Sequence, residues 1–475
     1  MNGRPVDVLL THGYRLYEDP HELAVMKPYP ALGILYISAH LKAKGLRVAV
    51  HDSTFSDRAA FIAALDRERP PVVGIYVNLM TRGNALGMIA GARERGVRVV
   101  LGGPDPANHA QRYLDAGADV VVIGEGEVAM EELIPVLSTG DVGAGSLGGI
   151  RGIVFRDAAG MMVRTPTRET IRDLDGQPFP DRDAIDLPRY VATWREHHGK
   201  GAVSLITARG CPYTCTWCSH AVYGYTHRRR SPQNVADEVE LIIERYAPDM
   251  LWYADDVFTI HRTWLLQYAA ELARRGIRIP FETISREDRL DEEIVKTLAE
   301  MGCQRLWVGA ESGSQRILDA MKRRTDAQRV PEVVALLRRH GIETGMFIML
   351  GYDGEEVPDL EDTVRMLKRA DPDVFLTTVA YPIAGTPYAA TVSDRIVPLK
   401  EWAAGSDRDR TVAGRHSRRF YSYATRWMVG EVGVHQERRR GRDPRRMAKA
   451  YLNARLGRLG MRLTQTEVEP ATPGT

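Results

Sequence analysis

Three of the four cysteines in this chain stand close enough together to hold one metal centre. Cys211, Cys215 and Cys218 have the spacing C-x3-C-x2-C within the segment RGCPYTCTWCSH. A structural zinc site needs four ligands; His220 is the candidate fourth, but the sequence has no second cysteine pair. Three thiolates on a four-iron cluster instead leave one iron open, as a catalytic centre requires. The spacing therefore favours an open iron–sulfur cluster over a zinc-stabilised interaction protein, and we expect Cys303 to pack as an apolar residue.

The composition indicates a globular protein of two or three domains. The chain has 475 residues, of which 44% are hydrophobic, and a formal net charge of +2. This balance argues against a dedicated nucleic-acid binder, which would carry a large basic excess. The sequence has no apolar run of about 18 residues and no signal-peptide layout at its start, so we expect a cytoplasmic protein without a transmembrane segment. Clustered thiols in a reducing compartment are metal ligands more often than disulfides.

The first 140 residues alternate short apolar runs with helical patterns. This alternation predicts a doubly wound (Rossmann-like) α/β domain whose ligand lies at the carboxyl ends of parallel strands. Residues 141–200 contain a glycine-rich joint, a small hairpin and a proline-rich stretch, and we interpret them as a linker. The predicted strands of the first domain are residues 6–10, 48–50, 72–77, 98–103 and 119–124.

The alternation returns in residues 201–390 with six further strands. Six strands are too few for a closed eight-stranded barrel, so the pattern predicts a partial (β/α)6 barrel with the three cysteines on the loop after its first strand. Residues 391–475 are rich in arginine, and we expect a basic, mostly helical region with a disordered end. Two interpretations of that region stay open: a solvated helical cap, or a contact with an anionic substrate or a membrane surface. The predicted strands are residues 203–208, 250–255, 279–285, 305–310, 344–350 and 374–381.

The cysteine loop after the first barrel strand resembles the radical S-adenosylmethionine (radical SAM) superfamily, and Trp217 before the third cysteine also matches. The resemblance implies a [4Fe-4S] cluster on Cys211, Cys215 and Cys218 whose open iron chelates S-adenosylmethionine. The family's cofactor contacts fall after the next four strands. There Asp255 and Asp256 depart from a usually glycine-rich motif with a glutamate, and each acidic residue has an alternative role as a helix N-cap. The implied S-adenosylmethionine contacts are Asp255, Asp256, Ser285, Arg286, Glu311, Ser312 and Gly351.

The first domain lacks the G-x-G-x-x-G pattern of a dinucleotide site after its first strand, which counts against NAD. Its segments MKPYPALGILYISAHLK, GGP and GEGE resemble, in order, the cobalamin-binding domain of B12-dependent radical SAM enzymes. The nearest branch is that of the anaerobic magnesium-protoporphyrin monomethyl ester cyclase. The residues that the resemblance assigns to cobalamin are Asn78, Gly102, Gly103, Pro104, Gly124, Glu125 and Gly126.

The segment Asp19-Pro20-His21 partly matches the Asp-x-His-x-x-Gly loop that supplies a cobalt ligand in other B12 proteins. Alanine stands at position 24 where that loop has glycine, and alanine resists the tight backbone conformation that glycine allows. We therefore expect that His21 does not bind cobalt.

The resemblance implies methylation of an unactivated carbon, by hydrogen abstraction with a 5′-deoxyadenosyl radical and methyl transfer from methylcobalamin. The alternative is a cyclase or rearrangement enzyme with the same cofactors, acting on a tetrapyrrole-like or isoprenoid substrate. Both need a small-molecule substrate and an external electron donor such as flavodoxin or ferredoxin. Tyr225 and Tyr381 are candidates for relaying hydrogen, although aromatic packing is the plainer interpretation.

Overall fold

The computed structural model describes residues 6–139, 144–441 and 443–471. The chain divides into two compact units, the first made of residues 1–212, 219–252 and 401–406, and the second of residues 213–218, 253–400 and 407–475. The strands are β1 (Val8–His12), β2 (Val48–His51), β3 (Val72–Tyr76), β4 (Arg98–Gly102), β5 (Val120–Val122), β6 (Ile153–Arg156), β7 (Met162–Arg164), β8 (Ala202–Leu205), β9 (Ala208–Arg209), β10 (Arg228–Arg229), β11 (Met250–Tyr253), β12 (Phe281–Ser285), β13 (Cys303–Glu311), β14 (Glu343–Leu350), β15 (Val374–Val379), β16 (Ile396–Pro398) and β17 (Arg410–Val412). The α-helices are α1 (Pro20–Val25), α2 (Leu32–Ala43), α3 (Arg58–Glu68), α4 (Arg82–Arg93), α5 (Pro104–Asp115), α6 (Glu127–Ser138), α7 (Ala144–Leu147), α8 (Leu187–His198), α9 (Pro232–Tyr246), α10 (Arg262–Arg274), α11 (Glu292–Met301), α12 (Gln315–Ala320), α13 (Arg329–Arg339), α14 (Val357–Ala370), α15 (Pro387–Thr391), α16 (Arg418–Arg440) and α17 (Pro444–Thr464).

The first sheet has seven strands in the order β2-β1-β3-β4-β5-β6-β7. Its first five strands pair in parallel, which confirms the predicted doubly wound sheet. Successive side chains of one strand point to opposite faces, so that Leu9 joins one buried apolar cluster and Val8 the other. Strands buried on both faces are almost continuously apolar, which is why they were visible in the sequence.

The predicted hairpin in the linker belongs to this first sheet. Strand β6 pairs antiparallel with β5, with Phe155 opposite Val120, and β7 pairs antiparallel with β6. Phe155 is fully buried in the apolar cluster that also contains Val120, and β6 covers what would otherwise be an open edge of the parallel sheet. The sheet therefore continues to Arg164, beyond the expected boundary at residue 140. Residues 140–143 of the predicted glycine-rich joint lie outside the described residues.

The second sheet has six strands in the order β15-β14-β13-β12-β11-β8. Strands β12, β13, β14 and β15 pair in parallel in chain order, and helices separate them along the chain. Strand β14 buries Met346, Ile348 and Leu350 in an apolar cluster with side chains of α14 and α16. The number of strands and their order confirm the predicted partial barrel.

The C-terminal region is mostly helical, as predicted, and α16 packs against α17. The two helices approach closely at glycines, since a Cβ at Gly457 would clash with the backbone of Trp427. The predicted disorder of the end does not hold for residues 466–469, because Val468 forms a β-bridge with His416 and the Glu469 carbonyl accepts a hydrogen bond from Gly414. Residues 472–475 lie outside the described part of the chain. Of the described helices, none combines the length and the apolar character needed to cross a bilayer.

Candidate active site

The cysteine loop begins and ends at a two-residue antiparallel ribbon. In this ribbon β9 pairs with β10, with Arg209 opposite Arg228. Gly210, which directly precedes Cys211, has a φ of +84°, and a Cβ there would clash with the Thr226 carbonyl oxygen. Only glycine meets both conditions without strain, so the residue before Cys211 fixes how the loop leaves its strand.

Arg209 anchors this ribbon through buried ion pairs. Its guanidinium lies 2.6 Å from Glu125 and 2.7 Å from Glu127, and Arg228 contacts Glu125 at 2.8 Å. Burial alone would lower the pKa of Arg209, but Glu127, Tyr223 and Glu125 outweigh it and leave that pKa raised. Glu125 also accepts a hydrogen bond from the Ile171 amide at 2.8 Å. The sequence predicted that Glu125 contacts cobalamin. In the structure its carboxylate instead binds the two arginines at the base of the cysteine loop.

Thr216 anchors the middle of the cysteine loop. Its amide donates to the Met321 carbonyl at 3.1 Å, its carbonyl accepts from the Tyr388 amide at 2.9 Å, and its hydroxyl lies 2.7 Å from the Tyr352 hydroxyl. Trp217 packs against the apolar cluster that contains Tyr352 and Tyr388. Trp217, which was predicted to contact the cofactor, therefore has a side chain that packs to stabilise the cysteine loop.

The three thiols carry the donor set that an iron–sulfur cluster needs. Cys215 is buried, Cys211 is partly buried and Cys218 is exposed, and none of the three forms a disulfide. A guanidinium nitrogen of Arg286 lies 3.8 Å from the Cys215 sulfur. A neighbouring cation stabilises a thiolate, which is the form that binds iron. The residues present therefore fit a cluster.

Arg286, which lies beside Cys215, belongs to a group of two buried arginines and two carboxyl groups. Arg286 donates to the carbonyl of Arg323 at 2.8 Å, and Arg323 donates to Glu287 at 3.1 Å. Within the described residues, Nε of Arg323 and Oε1 of Glu287 are buried without a hydrogen-bond partner. Glu311 follows a bulge in β13 and has a left-handed backbone with a φ of +62°. Burial raises the pKa of Glu311 to about 7, against the opposing effect of Arg323 and with the support of Glu287.

Among the other residues predicted to contact S-adenosylmethionine, the two serines already form hydrogen bonds within the protein, and the two aspartates differ in burial. The Ser285 hydroxyl lies 2.5 Å from the Thr259 hydroxyl, and the Ser312 hydroxyl accepts from the Ser314 amide at 3.2 Å. A ribose contact from either serine would have to compete with these bonds. After β11, Asp255 is buried whereas Asp256 is exposed, so the structure separates the two aspartates that the sequence offered as a pair.

The ring of Tyr421 lies beside Gly351, where the sequence predicted that the backbone contacts adenine. A Cβ at Gly351 would lie 2.9 Å from the ring of Tyr421, and the Gly351 amide donates to Glu355 at 2.5 Å. Arg415 donates to the Gly351 carbonyl at 3.2 Å. The α16 residue Tyr421 therefore covers this loop, and any adenine contact of Gly351 must come from its other side.

At the carboxyl edge of the first sheet, Gly102 and Gly103 present backbone rather than side chains, and with Pro104 they form a surface that we call the glycine ledge. A Cβ at Gly102 would meet no atom within 4 Å, whereas Gly103 has a φ of +106° and a Cβ there would clash with the Val77 carbonyl oxygen. Pro104 then begins α5. Asn78 is held in a turn, since its side-chain oxygen accepts from the Met80 amide at 2.9 Å. The open space beside Gly102 is a cradle that a side chain would fill, and it fits a bulky ligand such as cobalamin.

Gly124 and Gly126 shape the same edge differently. Gly124 has a φ of +95°, and a Cβ at Gly126 would lie 2.7 Å from the side chain of Ile37. Gly126 thus serves the packing of α2 on the sheet, and Gly124 is needed for its backbone conformation.

His21 is poorly placed to act as a buried metal ligand. Its side chain is 76% exposed, and the Asp19 carboxylate caps α1 by accepting from the amides of His21 and Glu22. The partly matching Asp-x-His motif is therefore a helix start.

A different histidine, His12, is buried at the carboxyl end of β1. Its Nε2 lies 3.0 Å from Asp52 and its Nδ1 accepts from the Tyr14 amide at 3.2 Å. Asp52 also accepts from the Tyr190 hydroxyl at 2.8 Å. Burial would raise the pKa of Asp52, but His12 and the other donors lower it to about 2. Both ring nitrogens of His12 are thus used within the protein.

The two tyrosines predicted to relay hydrogen have unequal surroundings. Tyr225 is half exposed and stacks on His220 with ring centroids 4.1 Å apart. Tyr381 is partly buried and is the second residue after β15. Their catalytic role stays a prediction.

Sequence reasoning missed Arg209, Thr216 and Arg323. Each acts through partners that are distant in sequence, for example Glu125 for Arg209 and Tyr352 for Thr216. One local signal was available: Arg209 lies between an apolar strand and a cysteine, where a charged side chain must find a buried partner.

A doubly wound domain followed by a partial barrel with three thiols on its first loop defines a class of cofactor-dependent enzyme. The family model of the B12 binding domain matches residues 24–134, and that of the radical SAM superfamily matches residues 205–367. The chain therefore carries a B12-binding domain followed by a radical SAM domain, which confirms the predicted family and enzyme class. The two family models also bear out the expected cofactor classes, S-adenosylmethionine and cobalamin.

Two relatives and one solved structure illustrate the similarity. The chain is 26% identical over 82% of its length to an uncharacterized methyltransferase of Pyrococcus horikoshii and covers 84% of that protein. It is 28% identical over 54% of its length to the anaerobic magnesium-protoporphyrin IX monomethyl ester cyclase of Rubrivivax gelatinosus and spans less than half of that protein, 46%. The radical S-adenosylmethionine methyltransferase TsrM of Kitasatospora setae, solved with cobalamin and a [4Fe-4S] cluster, matches with a TM-score of 0.67 at 20% identity over 81% of this chain and 74% of that one. This last likeness confirms the fold.

Proposed function

We propose that the chain is a cobalamin-dependent radical SAM methyltransferase that acts on an unactivated carbon of a small molecule. The observation that carries the proposal is the presence, in one chain, of three cysteines spaced C-x3-C-x2-C, of which Cys215 lies beside a buried arginine, and of an open glycine ledge in a B12-binding domain. When bound, the cluster and S-adenosylmethionine supply a radical that removes a substrate hydrogen, and cobalamin supplies the methyl group.

Cys211, Cys215 and Cys218 would hold the cluster. Arg286 and Arg323 keep positive charge beside Cys215. S-adenosylmethionine carries an ammonium and a carboxylate. The Nε of Arg323 and the Oε1 of Glu287 are buried without a hydrogen-bond partner, and an arginine and a glutamate are the side chains that bind such a zwitterion. Among the predicted contacts, we assign Arg286, Glu311 and Asp255 to this group first, with Asp256, Ser285, Ser312 and Gly351 in outer positions.

The ledge formed by Gly102, Gly103 and Pro104 would support cobalamin, with Asn78 and Gly124 beside it. Gly103 is preorganised by its left-handed backbone, and Gly102 leaves the adjacent space open. Glu125 and Gly126 act indirectly, by holding the loop base and the helix packing.

The proposal includes an external one-electron donor such as ferredoxin or flavodoxin, and action in the cytoplasm, where thiols stay reduced. It also includes the division into a cobalamin-binding domain, a radical SAM domain from residue 201 to 390 and a basic C-terminal region. The pairing of β6 with β5 supports extending the first of these domains to Arg164.

A cyclase or rearrangement is the second candidate. Its support is the similarity to the cyclase of Rubrivivax gelatinosus, which is slightly higher in identity than that to the Pyrococcus methyltransferase but covers less of both chains.

The experiment that separates the two candidates follows the methyl group. Reconstituted enzyme would be incubated with S-adenosylmethionine labelled with deuterium on its methyl group and with a chemical reductant. A methyltransferase forms S-adenosylhomocysteine in proportion to its bound cobalt even before its substrate is known. Formation of 5′-deoxyadenosine alone, with the methyl label left in methionine, would contradict methyl transfer and favour the second candidate.

A further inference from the structure

The outer face of α17 carries a stripe of exposed leucines. Leu452, Leu456, Leu459 and Leu463 are 56%, 38%, 54% and 72% exposed. Their spacing of four, three and four residues places them on one face of the helix. Single exposed leucines are ordinary, but an aligned row of four indicates a surface that contacts something apolar.

The leucine stripe cannot turn into the protein interior, because the other side of α17 is already packed. Ala454, Gly457 and Met461 are buried there, and the backbone of Gly457 lies against Trp427 of α16. The orientation of the helix is therefore fixed by its buried side, and the stripe faces outward.

The charge of α17 is of one sign. The helix contains six basic residues and no acidic residue. Arg455 and Arg462 directly precede Leu456 and Leu463, which places them at the border of the stripe. The six basic residues are Arg445, Arg446, Lys449, Arg455, Arg458 and Arg462.

We propose that this face of α17 docks the protein on an anionic lipid surface. A helix with leucines on one face and lysines and arginines beside them lies in a membrane interface, where its apolar side chains enter the acyl boundary and its cations meet anionic headgroups. Charge complementarity selects the lipid over a second copy of the chain, because a twofold contact of this face would bring the arginines of two helices together. The inference does not depend on which reaction the enzyme performs.

The test is sedimentation of the full chain with vesicles of phosphatidylcholine alone or mixed with phosphatidylglycerol. We expect binding to the mixed vesicles that weakens as salt is raised. The double substitution Leu459→Ser and Leu463→Ser should reduce partitioning about tenfold, because it removes apolar area that the bilayer buries. Arg455→Gln with Arg462→Gln should abolish most of the preference for anionic vesicles.

The matched control removes exposed apolar side chains elsewhere. Met161→Ser with Met162→Ser, in the β6–β7 hairpin, should leave vesicle binding unchanged, and every variant should keep the unfolding temperature of the parent. Failure of the parent to bind anionic vesicles, or equal binding by the leucine variant, would overturn the proposal. So would a dimer in light scattering that the leucine substitutions dissolve, since the stripe would then be a contact between two copies.

Discussion

The carboxyl edges of the two sheets are built from different chemistry. The first offers backbone and space at Gly102 and Gly103, and its charged neighbour Glu125 is satisfied by Arg209 and Arg228. The second carries buried ionisable side chains that retain unfilled hydrogen-bonding capacity, at Glu287, Arg323 and Glu355.

This difference matches the ligands that the family implies. A large corrin is recognised by shape and close backbone approach, whereas a small zwitterion on a cluster is recognised by fixed charges in a low dielectric. Buried polar atoms without partners are costly, so those of Glu287 and Arg323 indicate a site that a polar ligand completes.

The largest expected effect on stability comes from removing the buried ion pairs of Glu125 beside the first edge. Glu125→Ala leaves Arg209 and Arg228 buried with too little negative charge, and we expect a loss of about 3–5 kcal/mol of unfolding free energy. Urea unfolding measures it. The control is Glu132→Ala, because Glu132 forms a half-exposed ion pair with Arg168 that is worth about 1 kcal/mol or less. Equal losses in the two variants would contradict the assigned role of Glu125.

A buried carboxyl group at the second edge should make stability depend on pH. Burial raises the pKa of Glu355 to about 8, from an ordinary value of 4.5. Between these values the carboxyl group ionises in the unfolded chain but stays protonated in the folded one, so stability falls as the pH rises from 4.5 to 8.

Glu355→Gln should therefore flatten that slope and stabilise the protein at pH 8 by about 1–3 kcal/mol, since one pKa unit corresponds to about 1.4 kcal/mol. Unfolding in urea at several pH values provides the test, with the exposed Glu332→Gln as control. An unchanged slope in the Glu355 variant would show that its carboxyl group is not the source.

Filling the open space of the first edge should affect cobalamin alone. Gly102→Ala adds a methyl group where no protein atom lies within 4 Å, so stability should change by less than about 0.5 kcal/mol. If cobalamin uses that space, its affinity should fall about tenfold, because the added group excludes it. Titration with hydroxocobalamin followed by visible absorption measures this. Unchanged affinity would place the corrin elsewhere.

Removing one cation of the second edge should leave the metal but change its properties. With Arg323→Gln, we expect full iron content, about fivefold weaker binding of S-adenosylmethionine and a more negative reduction potential of the cluster, because positive charge stabilises the reduced form. Equilibrium dialysis and a potentiometric titration read by paramagnetic resonance measure both. Arg324→Gln is the control, since Arg324 is exposed beside it. Identical behaviour of the two variants would remove Arg323 from the site.

The elements of the fold could be predicted because their signal is local. Parallel strands such as β3 are buried on both faces and show as continuous apolar runs, and glycines end the helices between them. The hairpin β6–β7 was seen, but its place in the first sheet was not, because pairing with β5 depends on a contact between Val120 and Phe155 that no local pattern encodes.

Residues of the candidate site could be predicted from the sequence only where their spacing alone indicates the chemistry. The three cysteines satisfy a rule of metal coordination within eight residues, whereas the roles of Arg209 and Arg323 arise from partners dozens of residues away. Gly351 shows a different limit, because a glycine after a strand suggested room for a ligand and the ring of Tyr421 occupies one side of it, so its contact with adenine stays a prediction.

The central claim, one chain with two cofactor sites of different chemistry, is tested most directly by anaerobic reconstitution with iron, sulfide and hydroxocobalamin, followed by metal analysis. We predict about four irons and one cobalt per chain. Cys215→Ala should lose the iron and keep the cobalt, and Gly102→Ala should keep the iron and bind cobalamin about tenfold more weakly. Iron without cobalt in the parent would contradict the cobalamin site, and zinc without iron would contradict the cluster.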